Sequence, residues 1–494
     1  MPNKKTPART KPRGSVRRIS PPRLLPKAAT GILGLDEITG GGLPKGRTTL
    51  VCGSAGCGKT MFAMEFLVRG AQQYGEPGVF VSFEESADDL AQNVASMGFD
   101  LKALAARRKL LVDHIRVVRS EIEETGNFDL EGLFIRLGLA IDSIGAKRVV
   151  LDTLEALFGG FSNTAILRAE LRRLFEWLKH RGVTAIVTGE RGEGALTRHG
   201  LEEYVSDCVI LLDHRVVNQL TARRLRIVKY RGSIHGTDEY PFVIRANGIS
   251  VVPITSIRLE HNASGEVISS GVATLDRTLG AGGFYRSSTI LLSGGAGTGK
   301  SSIVGHFVAE SGRRGERSLY IALEESQSEI VRNMKSVGIQ LGPLLAKDIL
   351  RFHVSRPTAQ GLEMHLAAIH EIVVEYRPQV VVVDSITSLL SMGSVPEVTS
   401  MVVRLVDFFK MNGITAVMTA LIPAGEETET TGVNISSLVD TWITLANGEI
   451  NGVRARSLSV VKARGMGHSN QTHEFVMSKR GVEVKSEPWS RKYA

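Results

Sequence analysis

The chain has 494 residues, 43% of them hydrophobic and 22% charged, with a formal net charge of +9. That length and apolar content exclude a largely disordered protein and suit two large domains or three small ones. Nine basic residues precede position 28 and equal the whole net charge, so residues 28–494 are neutral. The sequence pI of about 9.4 therefore describes a tail and not a nucleic-acid-binding surface on the fold.

Residues 1–27 form a basic, proline-rich segment. They contain six of the sixteen prolines, and every charged side chain among them is basic. Such a segment buries too little apolar surface to fold, so we predict that it is disordered. Its cations suit nucleic acid, an anionic membrane, an acidic partner or solubility alone, and the sequence does not choose among these.

Cysteine content and hydropathy indicate a soluble protein of a reducing compartment. Three cysteines at these spacings cannot form a disulfide framework or a zinc cluster. No apolar run approaches the roughly 18 residues that span a bilayer. Arg17-Arg18 is followed by Ser20-Pro21-Pro22, where a twin-arginine export signal requires apolar residues. We expect a cytoplasmic location.

The sequence contains an internal repeat. Five segments recur in the same order: 31–36 and 271–276, 53–60 and 294–301, 83–86 and 323–326, 150–152 and 382–384, 229–235 and 462–468. Two copies of one domain are therefore predicted. The expected division is a tail at 1–27, an N-terminal domain at 28–253, a linker at 254–269, a C-terminal domain at 270–482 and a short tail at 483–494.

In each copy, short β-branched runs alternate with helical patterns. The predicted strands are 48–52, 79–83, 148–151, 184–187 and 208–212, then 289–292, 318–323, 380–383, 415–418 and 442–445, with 475–477 as a last strand. Continuous apolar runs separated by helices are typical of a parallel sheet that is covered on both faces. The predicted fold class is α/β, with a mainly parallel sheet flanked by helices in each copy.

Each copy contains a P-loop pattern, Gly-x-x-x-x-Gly-Lys-Thr/Ser, between a predicted strand and a predicted helix. Its backbone N–H groups surround phosphate oxygens, its lysine reaches the β and γ phosphates, and its final hydroxyl binds Mg²⁺. Because the motif occurs twice in this context, we predict two nucleotide sites. Their residues are Gly53, Ser54, Ala55, Gly56, Cys57, Gly58, Lys59 and Thr60, and Gly294, Gly295, Ala296, Gly297, Thr298, Gly299, Lys300 and Ser301.

Acidic residues follow two strands of each copy. Asp152 and Asp384 each end an apolar strand, where a Walker B carboxylate organises Mg²⁺ together with Thr60 or Ser301. Alone, such an aspartate is more often a turn residue or a helix cap.

A pair of glutamates follows another strand in each copy: Glu84 and Glu85, and Glu324 and Glu325. One glutamate of each pair is a candidate general base, and we expect Glu84 and Glu324. The alternative for the other glutamate is an acidic helix N-terminus.

Each copy ends with a Lys-x-Arg-Gly pattern, which contains Lys229 and Arg231, and Lys462 and Arg464. A charge-dense strand is usually a solvated edge. Because the pattern persists in both copies, we expect these cations to contact the triphosphate of a neighbouring subunit, as trans-acting arginine fingers do.

These doubled motifs resemble the KaiC family, RecA-like ATPases of the cyanobacterial circadian clock with relatives in other bacteria and archaea. The similarity covers about residues 29–482. It implies two tandem RecA-like P-loop NTPase domains, ATP and Mg²⁺ as cofactors, and a homohexamer of two stacked rings with ATP at subunit interfaces. It also implies ATP hydrolysis by the N-terminal ring, serine autophosphorylation and autodephosphorylation by the C-terminal ring, and a role as a timing or signalling scaffold.

The two phosphoacceptors of the family match Ser436 and Ser437, the second being Ser in place of Thr. The corresponding residues of the N-terminal copy are Glu203 and Tyr204, so only the C-terminal copy carries both hydroxyls. On composition alone, two serines before a strand indicate an ordinary turn. The resemblance makes them the candidate acceptors.

The resemblance also bears on partners. The family's long C-terminal extension, which docks KaiA, is not recognisable after His468, so control by KaiA is not expected. A KaiB-like protein is the expected partner of the N-terminal ring, around residues 122–128. Residues 420–423 replace a more polar stretch before the acceptors, which bears on the timing of phosphorylation.

Two other functions stay open on the sequence. One is a RecA-type DNA-processing ATPase with the basic tail as a nucleic-acid arm. The neutral body argues against it, because DNA motors concentrate Lys and Arg on the fold itself. The other is a regulatory ATPase whose second site binds ATP without transferring phosphate.

Overall fold

A computed structural model describes residues 25–115, 130–158, 164–192, 196–197, 206–217, 220–253, 264–359, 361–423, 433, 435–450 and 453–488. Over these residues the chain forms two domains of one architecture, each built on a nine-stranded sheet. The predicted fold class, two α/β domains with mainly parallel sheets flanked by helices, is confirmed.

The N-terminal domain alternates strands and helices. Its strands are β1 (Lys27–Ala28), β2 (Leu43–Pro44), β3 (Thr48–Gly53), β4 (Gly78–Ser82), β5 (Leu110–His114), β6 (Arg148–Asp152), β7 (Thr184–Glu190), β8 (Cys208–Val217), β9 (Leu220–Tyr230), β10 (Glu239–Arg245) and β11 (Gly248–Val251). Its helices are α1 (Leu35–Ile38), α2 (Lys59–Gln73), α3 (Ala87–Ala95), α4 (Leu101–Ala106), α5 (Glu131–Ile144), α6 (Leu154–Phe158) and α7 (Thr164–His180).

The C-terminal domain repeats this order. Its strands are β12 (Val267–Ile268), β13 (Phe284–Tyr285), β14 (Thr289–Gly294), β15 (Ser318–Ala322), β16 (Leu350–Val354), β17 (Val380–Asp384), β18 (Thr415–Leu421), β19 (Thr441–Ile450), β20 (Val453–Ala463), β21 (His473–Ser478) and β22 (Gly481–Pro488). Its α-helices are α8 (Ala273–Asp276), α9 (Lys300–Arg313), α10 (Gln327–Ser336), α11 (Gly342–Ala346), α12 (Leu362–Tyr376) and α13 (Val395–Met411), with 3₁₀ turns at Pro357–Ala359 and Ile386–Ser391.

Parallel strands form the centre of each sheet, and antiparallel strands extend one side. The strand order is β11-β10-β9-β8-β3-β7-β6-β4-β5 in the first sheet and β16-β15-β17-β18-β14-β19-β20-β21-β22 in the second. β3 pairs in parallel with β7 and β8, and β14 with β18 and β19. The carboxyl ends of the parallel strands therefore meet at one edge of each sheet, where ligands bind in this class of fold.

Both faces of each sheet are covered. Along β3, Val51 packs with Phe62 of α2 in the core on one face, whereas Leu50 and Cys52 pack in the core on the other. All six residues of β3 are buried. Continuous apolar sequence is what a parallel sheet with two covered faces requires.

The ten central strands that the sequence predicts are all present, and the differences lie outside them. Lys27 lies in β1, paired with Pro44, and so belongs to the N-terminal domain and not to the tail. The segment 475–477 is not the last strand. Gly481, with a φ of +105°, closes a turn into β22, which pairs antiparallel with β21.

Arg148 joins three parts of the N-terminal domain. It is the largest fully buried side chain among the described residues. Its guanidinium donates to Glu76 Oε2 at 2.8 Å, to the Phe66 carbonyl at 2.8 Å and to the Ala29 carbonyl at 2.7 Å. Burial lowers the pKa of Arg148, and the Glu76 carboxylate opposes that change. The residue thus links α2 to the segments that precede α1 and β4.

We expect Arg148→Met to lower the free energy of unfolding by about 3–5 kcal/mol, because it removes the donor of the Phe66 and Ala29 carbonyls and the closer cation of Glu76. Lys45 Nζ, at 3.6 Å from Glu76, is exposed and does not replace that donor. Urea unfolding followed by circular dichroism measures the change. The matched control is Arg172→Met, which removes an exposed pair with Glu176 and should cost less than about 1 kcal/mol. Equal losses in the two variants would contradict the structural role of Arg148.

Candidate nucleotide site in each domain

Each P-loop joins a buried strand to a long helix. β3 ends at Gly53 and α2 begins at Lys59, while β14 ends at Gly294 and α9 begins at Lys300. This strand–loop–helix arrangement aims the first N–H groups of the helix at the space above the loop, where anions bind.

The last glycine of each loop is required by conformation and by packing. Gly58 has a φ of +106° and Gly299 a φ of +103°, both in the region that favours glycine. A Cβ on Gly58 would lie 2.8 Å from Ile244 Cδ1, and one on Gly299 would lie 2.6 Å from Met477 Sδ. A larger residue fits neither position without a shift of the neighbouring side chains.

The remaining loop residues leave an open cradle. Ser54, Ala55 and Gly56 are exposed, as are Ala296 and Gly297, and Gly295 is half-buried. Cys57 and Thr298 point inward and are buried. Burial raises the pKa of the Cys57 thiol, so this side chain is a neutral packing group.

The two P-loop lysines bridge carbonyls at the start of the loop. Lys59 Nζ donates to the Gly53 carbonyl at 2.9 Å and to the Ser54 carbonyl at 3.1 Å. Lys300 Nζ makes the equivalent bonds at 2.7 and 2.8 Å, to Gly294 and Gly295. Burial lowers the pKa of Lys300, and Asp384 and Glu324 oppose this. Both ammonium groups thus stand over the cradle.

In the N-terminal domain, the strand-ending carboxylate meets the P-loop hydroxyl. Thr60 Oγ1 donates to Asp152 Oδ2 at 2.8 Å, and Thr188 Oγ1 donates to Asp152 Oδ1. Burial raises the pKa of Asp152, and these two hydrogen bonds oppose the shift.

The C-terminal domain has the same arrangement with one more donor. Ser301 Oγ donates to Asp384 Oδ2 at 3.0 Å, and Thr419 Oγ1 donates to Asp384 Oδ1. Tyr320 adds a hydrogen bond from its hydroxyl to Asp384 Oδ2 at 2.6 Å. The equivalent residue of the N-terminal copy is Phe80, which has no hydroxyl.

The two glutamates of each pair have different environments. Glu84 Oε1 accepts from Thr153 Oγ1 at 3.1 Å, directly after Asp152, and Glu324 Oε1 accepts from Ser385 Oγ at 3.1 Å. The first glutamate of each pair therefore faces the carboxylate and the P-loop.

The second glutamate is held from the following helix. Glu85 Oε2 accepts from Asn93 at 3.1 Å, and Glu325 Oε2 accepts from Asn333 at 3.2 Å. Ser86 and Ser326 are the N-caps of α3 and α10, so both glutamates of each pair precede the helix.

The Lys-x-Arg-Gly cations lie at the opposite edge of the sheet from the P-loops. In the C-terminal domain, Lys462 pairs with Trp442 near the start of β19, and Arg464 donates its backbone N–H to the Asp440 carbonyl at 2.8 Å. In the N-terminal domain, Lys229 pairs with Val209, and the Arg231 N–H donates to the Asp207 carbonyl at 2.9 Å.

The candidate acceptors share this amino edge. Ser436 and Ser437 are exposed in a turn just before β19. Asp440 donates its N–H to the carbonyl of Thr289, the first residue of β14, at 2.9 Å, whereas the P-loop begins at Gly294, the last residue of β14. Five residue steps along a strand separate the two ends by about 17 Å. The serines of one chain therefore lie far from the P-loop of the same domain.

The structure brings further residues to these sites that sequence reasoning missed. Arg456 Nε donates to the Gly297 carbonyl of the second P-loop at 3.2 Å. Arg168, Arg172 and Lys179 line a cavity of about 570 Å³ together with Arg231. A comparison of the two copies position by position would have indicated Thr188 with Thr419 and Asn93 with Asn333. It gives no signal for Arg168 or Arg172, which the other copy replaces with Thr399 and Val403.

The donor set fits a nucleotide with Mg²⁺. Each site offers an open glycine cradle, a lysine above it, and one hydroxyl beside one carboxylate. Mg²⁺ prefers oxygen ligands and takes only one or two carboxylates, with phosphates and water completing its shell. Among the described residues, no group of three or more His, Cys, Asp and Glu side chains could hold a metal by itself.

Comparison with known proteins agrees with this geometry. The family model of the KaiC ATPase matches residues 28–256 and again residues 268–488. The chain belongs to the KaiC family. It is 55% identical over 460 residues to the circadian clock protein KaiC2 of Synechocystis sp., an alignment that covers 93% of this chain and 81% of that protein.

Two further relatives are circadian clock oscillator proteins KaiC. The one from Picosynechococcus sp. is 38% identical over 465 residues, 93% of this chain and 89% of the relative. The one from Parathermosynechococcus lividus is 38% identical over 466 residues, 94% and 86% of the two chains. Within the described part of this KaiC-family chain, no helix is long and apolar enough to cross a membrane.

We expect each chain to bind two nucleotides, one at each P-loop. Lys59→Ala and Lys300→Ala should each remove one equivalent, because each ammonium stands over one cradle. Isothermal titration with a non-hydrolysable ATP analogue and Mg²⁺ measures the stoichiometry. The control is Lys102→Ala, whose exposed side chain pairs with exposed Asp88. Retention of two equivalents in either P-loop variant would contradict the assignment.

Proposed function

We propose that this chain is an ATP-hydrolysing autokinase that assembles head to tail, with each active site built from two copies. ATP and Mg²⁺ bind at the carboxyl edge of each sheet, and the cations and acceptors at the amino edge serve the next copy. The observation that carries this proposal is the separation of the two half-sites by the length of β14. The assembly we propose is the homohexamer of two stacked rings that family resemblance implies.

Head-to-tail contacts are heterologous, so they generate a ring when the rotation closes. The P-loop of one subunit would then face Lys229 and Arg231, or Lys462 and Arg464, of its neighbour. Cations supplied in trans stabilise the charge that develops on the transferred phosphoryl group.

The chain's residues divide the chemistry between the domains. In the N-terminal domain, Glu84 would accept the proton of a water that attacks the γ-phosphorus, releasing ADP and phosphate. In the C-terminal domain, Glu324 would accept the proton of a serine hydroxyl from the neighbouring copy, forming the Ser O–P bond as the bond to ADP breaks. Bound Mg²⁺, held through Thr60 and Asp152 or Ser301 and Asp384, would neutralise phosphate charge. Reversal of serine phosphorylation would complete a timing or signalling cycle.

A further proposed partner is a second protein that binds the N-terminal ring. A KaiB-like protein would dock on the N-terminal ring, but its expected site, residues 122–128, lies outside the described residues. The basic tail before residue 25, for which nucleic acid or an acidic surface is a candidate partner, also lies outside them.

The environments of the glutamates lead to a matched pair of variants. In a Lys300→Met background, which isolates the N-terminal site, Glu84→Gln should lower ATP turnover at least about 100-fold, because it removes the proton acceptor. Glu85→Gln should lower turnover less than about tenfold, because Glu85 is held by Asn93. Phosphate release under steady-state conditions measures both. A larger loss in Glu85→Gln would reverse the assignment.

Transfer between copies can be tested by mixing. Lys300→Met chains retain the serines without a competent donor site, and Ser436→Ala/Ser437→Ala chains retain the donor without acceptors. We expect neither variant alone to incorporate phosphate and the co-assembled mixture to phosphorylate the Lys300→Met chains. Phosphopeptide mass spectrometry identifies the labelled chain. Incorporation by Lys300→Met alone, or none in the mixture while wild type is labelled, would refute transfer from the neighbour's site.

A further inference from the structure

The segment that carries the two serines is fixed by its backbone and by its flanking residues. Val433, Ile435 and Val439 are buried in the core of the C-terminal domain. The Leu438 N–H donates to the Ile435 carbonyl at 2.9 Å and closes a turn with the serines at its two central positions. Neither serine hydroxyl is hydrogen-bonded to another residue of the described chain. The turn therefore presents both hydroxyls outward on an anchored backbone.

Each serine is held by a different cation. Lys462 Nζ donates to the Ser436 carbonyl at 2.7 Å, and Arg464 Nη2 donates to the Ser437 carbonyl at 2.6 Å. These bonds reach the backbone and not the hydroxyls. They fix the position of the two serine hydroxyls, which would accept phosphate, without bonding to them.

The two cations have N–H donors that the serine carbonyls do not use. An ammonium has three N–H donors and a guanidinium five, and each uses only some of them here. Both contacts are at the surface, and the Arg464 side chain is 51% exposed. Burial lowers the pKa of Lys462, and the charge of Arg464 lowers it further. The pair is therefore suited to an anion that approaches from outside the chain.

We propose that Lys462 and Arg464 are positioning residues. Lys462 holds Ser436, and Arg464 holds Ser437, in reach of the phosphate that both cations contact. This inference rests on the proposed autokinase function. It adds that the two cations are not equivalent: each controls which serine is phosphorylated, beyond the charge that it contributes. A purely electrostatic role would affect both serines alike.

The test is the ratio of phosphate on the two serines. In the full-length assembled protein with ATP and Mg²⁺, Lys462→Gln should lower phosphorylation of Ser436 at least fivefold more than that of Ser437. Arg464→Gln should do the reverse. Lys485→Gln, which removes an exposed cation of β22, is the control and should leave the ratio unchanged. Phosphopeptide mass spectrometry after short incubations gives the ratio.

The possible outcomes distinguish a failure of the positioning role from a failure of the proposed autokinase function. Equal losses at both serines, with wild type labelled, would overturn the positioning role and leave the autokinase intact. No phosphate on either serine of the wild type would overturn both. Arg464→Lys retains a charge and a donor but loses the fork of the guanidinium. Arg464→Lys should restore part of the phosphorylation of Ser437. A phosphorylation of Ser437 no higher than in Arg464→Gln would also contradict the inference.

A second measurement does not depend on phosphate transfer. Hydrogen exchange of residues 435–440 in the nucleotide-free chain reports how firmly the turn is held. Lys462→Gln and Arg464→Gln should each speed exchange in this segment at least tenfold, while Lys485→Gln should not. Unchanged exchange in both variants would show that the carbonyl contacts do not hold the turn, and would overturn the proposal even for variants that no longer transfer phosphate.

Discussion

The length of one buried strand in each domain fixes the distance between the P-loop and the cations at the opposite edge of the sheet, and the proposed site depends on that distance. β3 and β14 carry a P-loop at the carboxyl end, and the turn that leads into the next parallel strand of the sheet meets the amino end. A fully hydrogen-bonded parallel strand cannot shorten or slip without moving its apolar residues off both cores. The two half-sites are therefore held apart by the same packing that stabilises the domain, and in the proposed assembly a second copy brings them together.

The two sites are built alike but are not identical. Both carboxylates accept from a P-loop hydroxyl and from a threonine of the adjacent strand, at Asp152 in the first copy and Asp384 in the second. Only Asp384 also accepts from a tyrosine, and burial together with Asp384 raises the pKa of Tyr320 well above its ordinary value. That phenol stays protonated and stays a donor. The extra donor distinguishes the domain that carries the two candidate acceptor serines from the one that does not.

The repeat and the P-loop motifs could be recognised from the sequence because their residues lie close together along the chain. A P-loop needs its glycines and lysine within eight consecutive residues, and the repeat shows every motif twice. The choice of Glu84 over Glu85 as the base stays a prediction. The contact of Glu84 with Thr153 needs two distant loops to meet, so the sequence could not show it. Interactions over long sequence separations, such as Arg456 with Gly297 or Arg148 with Ala29, have no local signature, because they depend on how strands are ordered in the sheet.

Length, repeat and motif spacing by themselves determined that this chain is a tandem α/β nucleotide-binding protein. They also showed that residues 28–494 carry no net charge and that the N-terminal segment before them is basic. Continuous apolar strands and glycine-rich loops allow few other folds, which is why this much could be predicted. The tertiary structure decided that Glu84 contacts Thr153, beside Asp152, whereas Glu85 contacts Asn93. It also decided that Lys462 and Arg464 contact the serine carbonyls and that the candidate acceptor serines and the P-loop lie at opposite edges of the sheet. Those facts follow from strand order and register, which no short stretch of sequence encodes.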